Sequence, residues 1–423
     1  MKQSHYIYPK ELLFWRSVPI AKMTGPFKSN YRLSTFNHFL SSIPNINRDL
    51  FLDELLNDNA LKEYKLRIIL PMPANCTDLL NTIFHKDWYE LFEKCCQILK
   101  KRTDAVLITG CDFDEFNLLK FHNKSLIHQI LNILRSHKIS LNRLTWLHCN
   151  AFTDDYIKLS LTNNEIEPLT IYYNDYIHQT YGIDYIESNT VKTNWFLSPN
   201  RIARPHRMIL CYWWFLNGRR PSFISCRLGK DDSNKITDQY DTVDKLAKDI
   251  KHFNYSVDED KIEKFLYSLP WSIDFKDSHN TLPIEYQNSL DKKIIEASAC
   301  YLITETSYPL DNSDHYRGWI TEKTFKSFVY KLPFIMIGPA EAVATIKKIG
   351  FKSFSTLIDE TYDMEFDNVK RMSMILNEIN KIQQIEDIDD WYHQADEIYS
   401  HNINHLLNLR NRNYYKIIEE FYG

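Results

Sequence analysis

The chain has 423 residues, of which 44% are hydrophobic and 25% charged, and its formal net charge is −4 with a pI of about 6.4. This length favours two domains, and the charge balance provides no overall positive field for holding nucleic acid. Only 9 glycines are present, and the sequence contains neither a GxGxxG nor a GxxxxGK[ST] motif. These features argue against a Rossmann dehydrogenase and a P-loop NTPase.

The remaining bulk features concern membranes and cysteines. No apolar segment opens the chain, and no run of about 18 apolar residues occurs, so we expect no membrane span. The 8 cysteines are scattered, with no CxxC pair and no zinc-type spacing. Such a distribution is typical of buried thiols in a reducing compartment. We therefore expect a cytoplasmic protein, in the host cytoplasm if its source is viral, with no structural metal site.

The first half of the chain alternates between strand and helix patterns. Residues 1–60 are broken by four prolines and are expected to form an irregular extension. Short apolar runs then predict strands, and amphipathic spacing predicts helices between them. The predicted strands are 65–71, 105–109 and 143–148, and the predicted helices are 79–101 and 125–137. This order indicates a parallel sheet with right-handed crossovers.

The second half repeats the alternation after a hinge predicted at 199–221. Strands are predicted at 222–227, 299–303 and 333–337, and helices at 242–253, 258–269, 321–330 and 341–348. Residues 367–421 have a helical pattern. We therefore predict an α/β fold with two Rossmann-like domains that face each other across a cleft, followed by a helical C-terminal tail. The predicted boundaries are 1–198, 199–365 and 366–423, with the tail packing across the domains.

One segment of the second half carries recognisable chemistry. Thr321 is a good N-cap residue, and Glu322 and Lys323 then fall in the first helical turn. The positive end of such a helix favours an anion such as a diphosphate, and Lys323 adds a full charge. Glu322 can accept two hydrogen bonds from a ribose diol, and Lys326 lies on the same helical face as Lys323. The alternative is an ordinary first turn exposed to solvent.

This segment resembles the donor-binding motif of GT-B glycosyltransferases, particularly the fucosyltransferase type. In that motif Tyr/Trp-x-Thr-Glu-Lys begins a helix, and an apolar strand ending in glycine follows. Trp319, Thr321, Glu322, Lys323 and the run Leu332–Gly338 match it. The resemblance covers residues 301–338 only. It implies that residues 199–365 bind a nucleotide-diphosphate sugar as donor substrate, with Glu322 on the ribose and Lys323 on a phosphate, and that no further cofactor is required.

A second segment, 197–207, resembles the Asn-x6-Arg hinge of the same enzymes, in which an arginine reaches the donor pyrophosphate. Arg201, Arg204 and Arg207 are the candidates, with Arg207 favoured, because a guanidinium binds phosphate oxygens bidentately. His206 is a candidate for protonating or positioning the leaving phosphate. A basic linker and a structural histidine are the alternatives.

Acidic residues offer candidates for catalysis. Asp112, Asp114 and Glu115 follow the predicted strand 105–109, where one of them is placed to deprotonate an acceptor hydroxyl in an inverting transfer. A retaining enzyme needs no such base. Asp112 and Asp114 also form a DxD pair, as in metal-dependent GT-A glycosyltransferases, where the acids hold Mn²⁺ or Mg²⁺ against the donor diphosphate. That alternative places the donor in the N-terminal half.

The loop 305–317 should border the donor sugar, since it joins a strand to the Glu-Lys helix. Its polar side chains are Glu305, Asp311, Asp314, His315 and Arg317, of which Asp311 and Asp314 are candidates for binding sugar hydroxyls. A solvated loop is the alternative interpretation.

The acceptor is open between two classes. One is a glycan. The other is a hydroxymethylated base in DNA, as for phage enzymes with the GT-B fold. In that case basic residues at 201–207, 218–220 and 410–412 would supply a groove for DNA. The target base would also need to be flipped out of the duplex. A non-catalytic nucleotide or nucleic-acid binding protein on the same fold is the competing class. The oligomeric state is open.

Overall fold

The computed structural model describes residues 3–8, 43–57, 60–70, 83–111, 126–178, 180, 190–200, 203–226, 242–271, 273, 290–308 and 317–422. Contacts between residues divide the chain into two compact units. The first unit comprises Met1–Asp175 and Asn411–Gly423, and the second comprises Tyr176–Arg410. The chain therefore passes from the first unit to the second and returns to the first at its C-terminus.

The first unit contains a five-stranded sheet in which all strands are parallel and follow one another in chain order. The strands are β1 (Ser4–Ile7), β2 (Lys65–Ile69), β3 (Val106–Cys111), β4 (Leu144–His148) and β5 (Leu169–Tyr172). All five residues of β4 are buried, as are four of the five in β2, which is the pattern of a parallel strand covered on both faces. The strands predicted at 65–71, 105–109 and 143–148 are present as β2, β3 and β4.

Helices lie between these strands in the sequence. They are α1 (Leu52–Asn57), α2 (Ile83–Lys101), α3 (Leu126–Ser136) and α4 (Thr153–Ser160). The apolar stripe of α2 enters the core through Trp88, Phe92 and Leu99, none of which is exposed. The expectation that residues 1–60 are irregular is wrong for β1 and α1. A four-residue strand has no clear periodicity of its own, and β1 is stabilised by pairing with β2 over its whole length.

The second unit contains a four-stranded parallel sheet with a reversed strand order. Its strands are β6 (Asn194–Ser198), β7 (Ser222–Ile224), β8 (Ser298–Thr304) and β9 (Phe334–Ile337), and they lie in the order β7-β6-β8-β9. The order reverses between β6 and β8, because β6 has β7 on one side and β8 on the other. In open α/β sheets, ligands bind beyond the carboxyl ends of the strands at such a switch point.

The helices of the second unit lie before, between and after these strands along the chain. After α5 (Asp175–His178) at the unit boundary come α6 (Pro205–Asn217), α7 (Val243–His252), α8 (Glu259–Ser268), α9 (Lys292–Ala297), α10 (Glu322–Val329), α11 (Ala342–Lys348), α12 (Asn368–Gln383), α13 (Ile388–His393) and α14 (Asp396–Arg410). Short 3₁₀ turns occupy Ala60–Glu63, Leu141–Arg143 and Glu360–Met364. None of the helices in the described ranges is long and apolar enough to cross a membrane.

Three segments differ from what the sequence predicts. β6 falls within 1–198 but pairs with β7 and β8, so it belongs to the second sheet. The helix α6 occupies most of the predicted hinge at 199–221. The segment 366–423 is helical, but it is shared, since α12, α13 and α14 lie in the second unit and residues 411–423 in the first. Strand pairing between distant residues decides these memberships, and local periodicity does not reveal it.

The last helix, α15 (Tyr414–Tyr422), completes the first unit. Its Glu419 accepts hydrogen bonds from Ser4 Oγ at 2.6 Å and from the Tyr6 hydroxyl at 2.5 Å, and lies 3.6 Å from Arg67 Nε. Arg67 is 1% exposed, and its guanidinium also stands over the Tyr422 ring. A buried charge of this kind needs its partner, so the C-terminal helix is tied to strands β1 and β2.

Candidate functional site

The carboxyl ends of β6 and β8 are joined by a buried asparagine. Asn200 follows β6, and its side-chain oxygen accepts a hydrogen bond from Thr304 Oγ1 at 2.6 Å, at the end of β8. Its backbone nitrogen donates to Ser225 Oγ, beyond β7, at 2.7 Å. Asn200 is 3% exposed. One side chain and its backbone therefore fix three neighbouring strand ends relative to one another, at the switch point of the sheet.

Basic side chains from the start of α6 point to the end of β8. Arg204 donates to the carbonyl oxygen of Thr306. Arg207 donates to the carbonyl oxygens of Thr304, at 3.1 Å, and Glu305, at 3.3 Å. Pro205 occupies the first helical position, where the missing N–H costs nothing because no helical partner exists for it. The backbone carbonyls of the short segment 304–306 therefore accept hydrogen bonds from two guanidinium groups.

Burial changes the charge properties of this cluster. The pKa of Arg207 is lowered to about 10 by burial and by the nearby charge of Arg204. The pKa of His206 lies well below its usual value because the ring is buried and Arg207 is adjacent. His206 Nε2 lies 2.9 Å from the carbonyl oxygen of Glu305, so this nitrogen carries the proton of the neutral ring. The arrangement favours a positioning role for His206 over proton donation to a leaving phosphate.

The helix α10 begins at Glu322 with Thr321 at the N-cap position, as the sequence predicts. The Thr321 hydroxyl, however, does not cap the helix. It donates to Glu305 Oε2 at 2.6 Å, while Glu305 Oε1 accepts from the Thr321 backbone nitrogen at 2.9 Å. The expectation that this helix start presents its free N–H groups to a ligand is therefore corrected at its first amide, because a carboxylate of the chain itself occupies that position.

Glu322 and Lys323 are hydrogen-bonded to each other. Lys323 Nζ lies 2.8 Å from Glu322 Oε1, 3.1 Å from Thr306 Oγ1 and 3.2 Å from Thr321 Oγ1. An ammonium group has three protons, so these three oxygens account for all of its donors. Both side chains remain partly accessible, with 18% of Glu322 and 21% of Lys323 exposed. A phosphate can reach Lys323 by replacing one of these partners.

Lys326 and Glu322 influence each other one helical turn apart. Burial lowers the pKa of Lys326 to about 8, and the charge of Lys323 acts in the same direction. For Glu322, burial alone would raise the pKa, but the charges of Lys323 and Lys326 bring it below the ordinary value. Glu322 is therefore an ionised carboxylate at neutral pH, as acceptance of hydrogen bonds from a diol requires.

The carboxyl edge of the second sheet has an excess of positive charge. Its charged side chains are Arg204, Arg207, Lys323, Lys326, Glu305 and Glu322. Four positive groups and two carboxylates leave two positive charges in excess. That excess matches the two negative charges of a diphosphate diester, and the low dielectric of a partly buried site strengthens the attraction.

Several residues singled out in the sequence lie outside the described ranges. They are Asp112, Asp114, Glu115, Arg201, Asp311, Asp314 and His315. Asp112 directly follows Cys111, the last residue of β3, so it is connected to the carboxyl end of that strand. Within the described ranges, no group of three or more His, Cys, Asp or Glu side chains is arranged to hold a metal ion.

Two supporting residues had no role assigned from the sequence. In the sequence, Glu305 is one of several polar residues in the loop 305–317, and Asn200 is the asparagine of the Asn-x6-Arg pattern that ends at Arg207. Glu305 directly follows β8, and Asn200 lies two residues after the end of β6. These positions are the sequence signal that identifies them, since polar residues at strand carboxyl ends line α/β ligand sites. No protein-family model matches the chain, and no curated protein matches it in sequence.

Proposed function

We propose that the chain is a glycosyltransferase that moves a sugar from a nucleotide-diphosphate sugar to a hydroxyl acceptor, and that its two units form a GT-B arrangement. The observation that carries the proposal is the clustering of Arg204, Arg207 and Lys323 beside Glu322 at the switch point of the second sheet. Guanidinium and ammonium groups bind diphosphate oxygens strongly, and an ionised carboxylate accepts hydrogen bonds from the two hydroxyls of a ribose. The motif resemblance in the sequence falls on these same residues.

In this proposal, donor binding rearranges the Glu322–Lys323 pair. Glu322 releases Lys323 and accepts hydrogen bonds from the ribose. Lys323 stays protonated, and the N–H that had bonded to Glu322 forms a hydrogen bond to a phosphate oxygen. Arg204 and Arg207 stabilise the charge that develops on the leaving diphosphate as the sugar–oxygen bond breaks. Ribose and phosphate recognition are therefore coupled, because each requires the other to replace the lost ion pair.

The acceptor side is assigned to the first unit. Asp112, Asp114 and Glu115 are the proposed sources of the general base, since they follow the carboxyl end of β3. The loop residues Asp311 and Asp314 remain the proposed contacts for the sugar. A glycan and a hydroxymethylated base in DNA are the acceptor classes to be tested.

The direct test is nucleotide release from UDP, GDP and CMP sugars by the full-length protein. We expect release from one nucleotide class, and a loss of about 10-fold or more in kcat/KM for Lys323→Met, the size of a lost charged hydrogen bond. Lys347→Met is the matched control, because Lys347, on α11, forms a comparable ion pair with Glu360 at 2.9 Å. Nucleotide binding without any release would favour a binding module, and full activity in Lys323→Met would refute the site.

A further inference from the structure

Glu305 is a buried carboxylate with a complete set of hydrogen-bond donors. It is 1% exposed. Its oxygens accept from the backbone nitrogens of Thr321, at 2.9 Å, and Thr306, at 3.1 Å, and from the hydroxyls of Thr321, at 2.6 Å, and Thr324, at 2.7 Å. Ionised carboxylates are retained in protein interiors when they are satisfied in this way.

We propose that Glu305 is the positioning residue of the donor site, orienting Lys323 of α10 through its side chain and Arg207 of α6 through its backbone carbonyl, without touching the donor. This inference rests on the proposed function. Through its side chain, Glu305 takes the only proton of the Thr321 hydroxyl, so the oxygen of that hydroxyl is turned to accept from Lys323 Nζ. The backbone carbonyl oxygen of Glu305 accepts hydrogen bonds from His206 Nε2 and from the Arg207 guanidinium.

The same arrangement determines where the diphosphate binds. The first amide at the start of α10 is occupied by Glu305, so an external anion is directed away from it and toward the side chains of Arg204, Arg207 and Lys323. Chains of hydrogen bonds of this type polarise one another, so the carboxylate also strengthens the orientation of the Lys323 ammonium. Glu305 therefore acts as an internal anion that occupies the N-cap amide of α10 and leaves the cations for the ligand.

The end of β9 is shaped to accept this carboxylate. A Cβ atom at Gly338 would lie 3.2 Å from Glu305 Cβ and 3.3 Å from Glu305 Cγ, which is tighter than ordinary packing. Glycine at this position therefore leaves the space that the Glu305 side chain uses. This gives a physical reason for the glycine that ends the apolar strand of the motif.

Chemical rescue tests the proposal. Glu305→Ala leaves a cavity lined by four donors, which formate can fill and formamide, of similar size but neutral, satisfies poorly. Using UDP, GDP, CDP, ADP and dTDP as probes, we expect the affinity of Glu305→Ala to fall about 10-fold or more for the nucleotide that the wild type binds. About 100 mM formate should restore it to within about threefold, whereas formamide and an equal concentration of chloride should not.

Two further variants keep the test decisive if Glu305→Ala folds poorly. Glu305→Gln fills the cavity but places an NH₂ group against the donors, so it should bind nucleotide weakly and show no rescue. Asp363→Ala is the matched control, because Asp363 is 4% exposed and accepts from the backbone nitrogens of Val343 and Ala344, each at 2.9 Å, at the start of α11. It should lower thermal stability and leave nucleotide affinity within about twofold.

The outcomes separate the inference from the proposed function. If the wild type binds none of these nucleoside diphosphates, the proposed function fails. If the wild type binds one of them, unchanged affinity in both Glu305 variants overturns the positioning role alone. Rescue by formamide or chloride as complete as that by formate would show that Glu305 only fills space, and would overturn it as well.

Discussion

The two sheets of this protein use buried charge in different places. In the first sheet the strands follow chain order, and its buried cation, Arg67, lies within β2 and is paired with Glu419 of the C-terminal helix. In the second sheet the strand order reverses, and Arg207 lies beyond the strand ends, where it binds backbone carbonyls. Arg67 therefore stabilises the fold from within a strand, whereas Arg207, under the proposed function, binds the donor from beyond the strand ends.

The largest expected effect is the difference in nucleotide affinity between variants of Arg207 and Arg67. Arg207→Met should reduce affinity for the bound nucleoside diphosphate by about 100-fold or more, because a desolvated charged contact is lost. Arg67→Met, equally buried, should lower stability and leave affinity within about twofold. Titration calorimetry on both proteins, with urea unfolding as the check on folding, measures this difference. Equal losses of affinity in the two variants would contradict the distinction between the sheets.

The next effect concerns the stability of the first unit. Glu419→Ala removes the partner of a buried guanidinium and the acceptor of Ser4 and Tyr6. We expect the free energy of unfolding to fall by about 3 kcal/mol, the usual cost of leaving a buried charge uncompensated. Urea unfolding provides the measurement, and Glu420→Ala, on the same helix and in an ion pair with exposed Lys416, provides the control. A loss below about 1 kcal/mol, as for an exposed pair, would mean that water replaces Glu419.

A smaller effect is expected at Glu322, where one substitution should change the affinities for two ligands in opposite directions. Glu322→Gln removes the carboxylate that occupies one donor of Lys323. Inorganic pyrophosphate, which has no ribose, should bind about 3- to 10-fold more tightly, while the nucleoside diphosphate should bind more weakly because the ribose loses a charged acceptor. Calorimetric titration of both ligands measures the two changes. Changes of the same sign for both ligands would exclude the proposed exchange of partners; Glu360→Gln, which breaks the Lys347 pair, should change neither.

The smallest expected effect is a pH dependence of nucleotide affinity. Because the pKa of Lys326 is lowered to about 8 by burial, the side chain is charged below that pH and neutral above it. The anionic ligand favours the charged form, so affinity should decline about 3- to 10-fold as the pH rises from about 7 to about 9. Lys326→Arg stays charged throughout this range and should remove the decline, apart from titration of the nucleotide itself, which is common to both proteins. Parallel pH profiles would assign the titration to another group.

The sequence predicts those features that depend on neighbouring residues. The strands β2, β3 and β4 are recognisable because their apolar residues are contiguous, and the start of α10 is recognisable from Thr321-Glu322-Lys323. The membership of β6 in the second sheet and the strand reversal are not recognisable, because they depend on pairing between residues about 100 positions apart. The role of Glu305 is not recognisable from neighbouring residues either, since Thr321 and Thr324, which donate to its carboxylate, lie 16 and 19 residues further along the chain.

The central claim is that the switch point of the second sheet binds the donor's diphosphate. The most direct measurement is a crystal structure of the full-length protein with the nucleoside diphosphate that it binds. The account predicts phosphate oxygens within about 3.2 Å of Lys323 and of Arg204 or Arg207, with the ribose at Glu322. A nucleotide bound instead beyond β3, held through a metal ion by Asp112 and Asp114, would contradict the account and support the metal-dependent GT-A alternative.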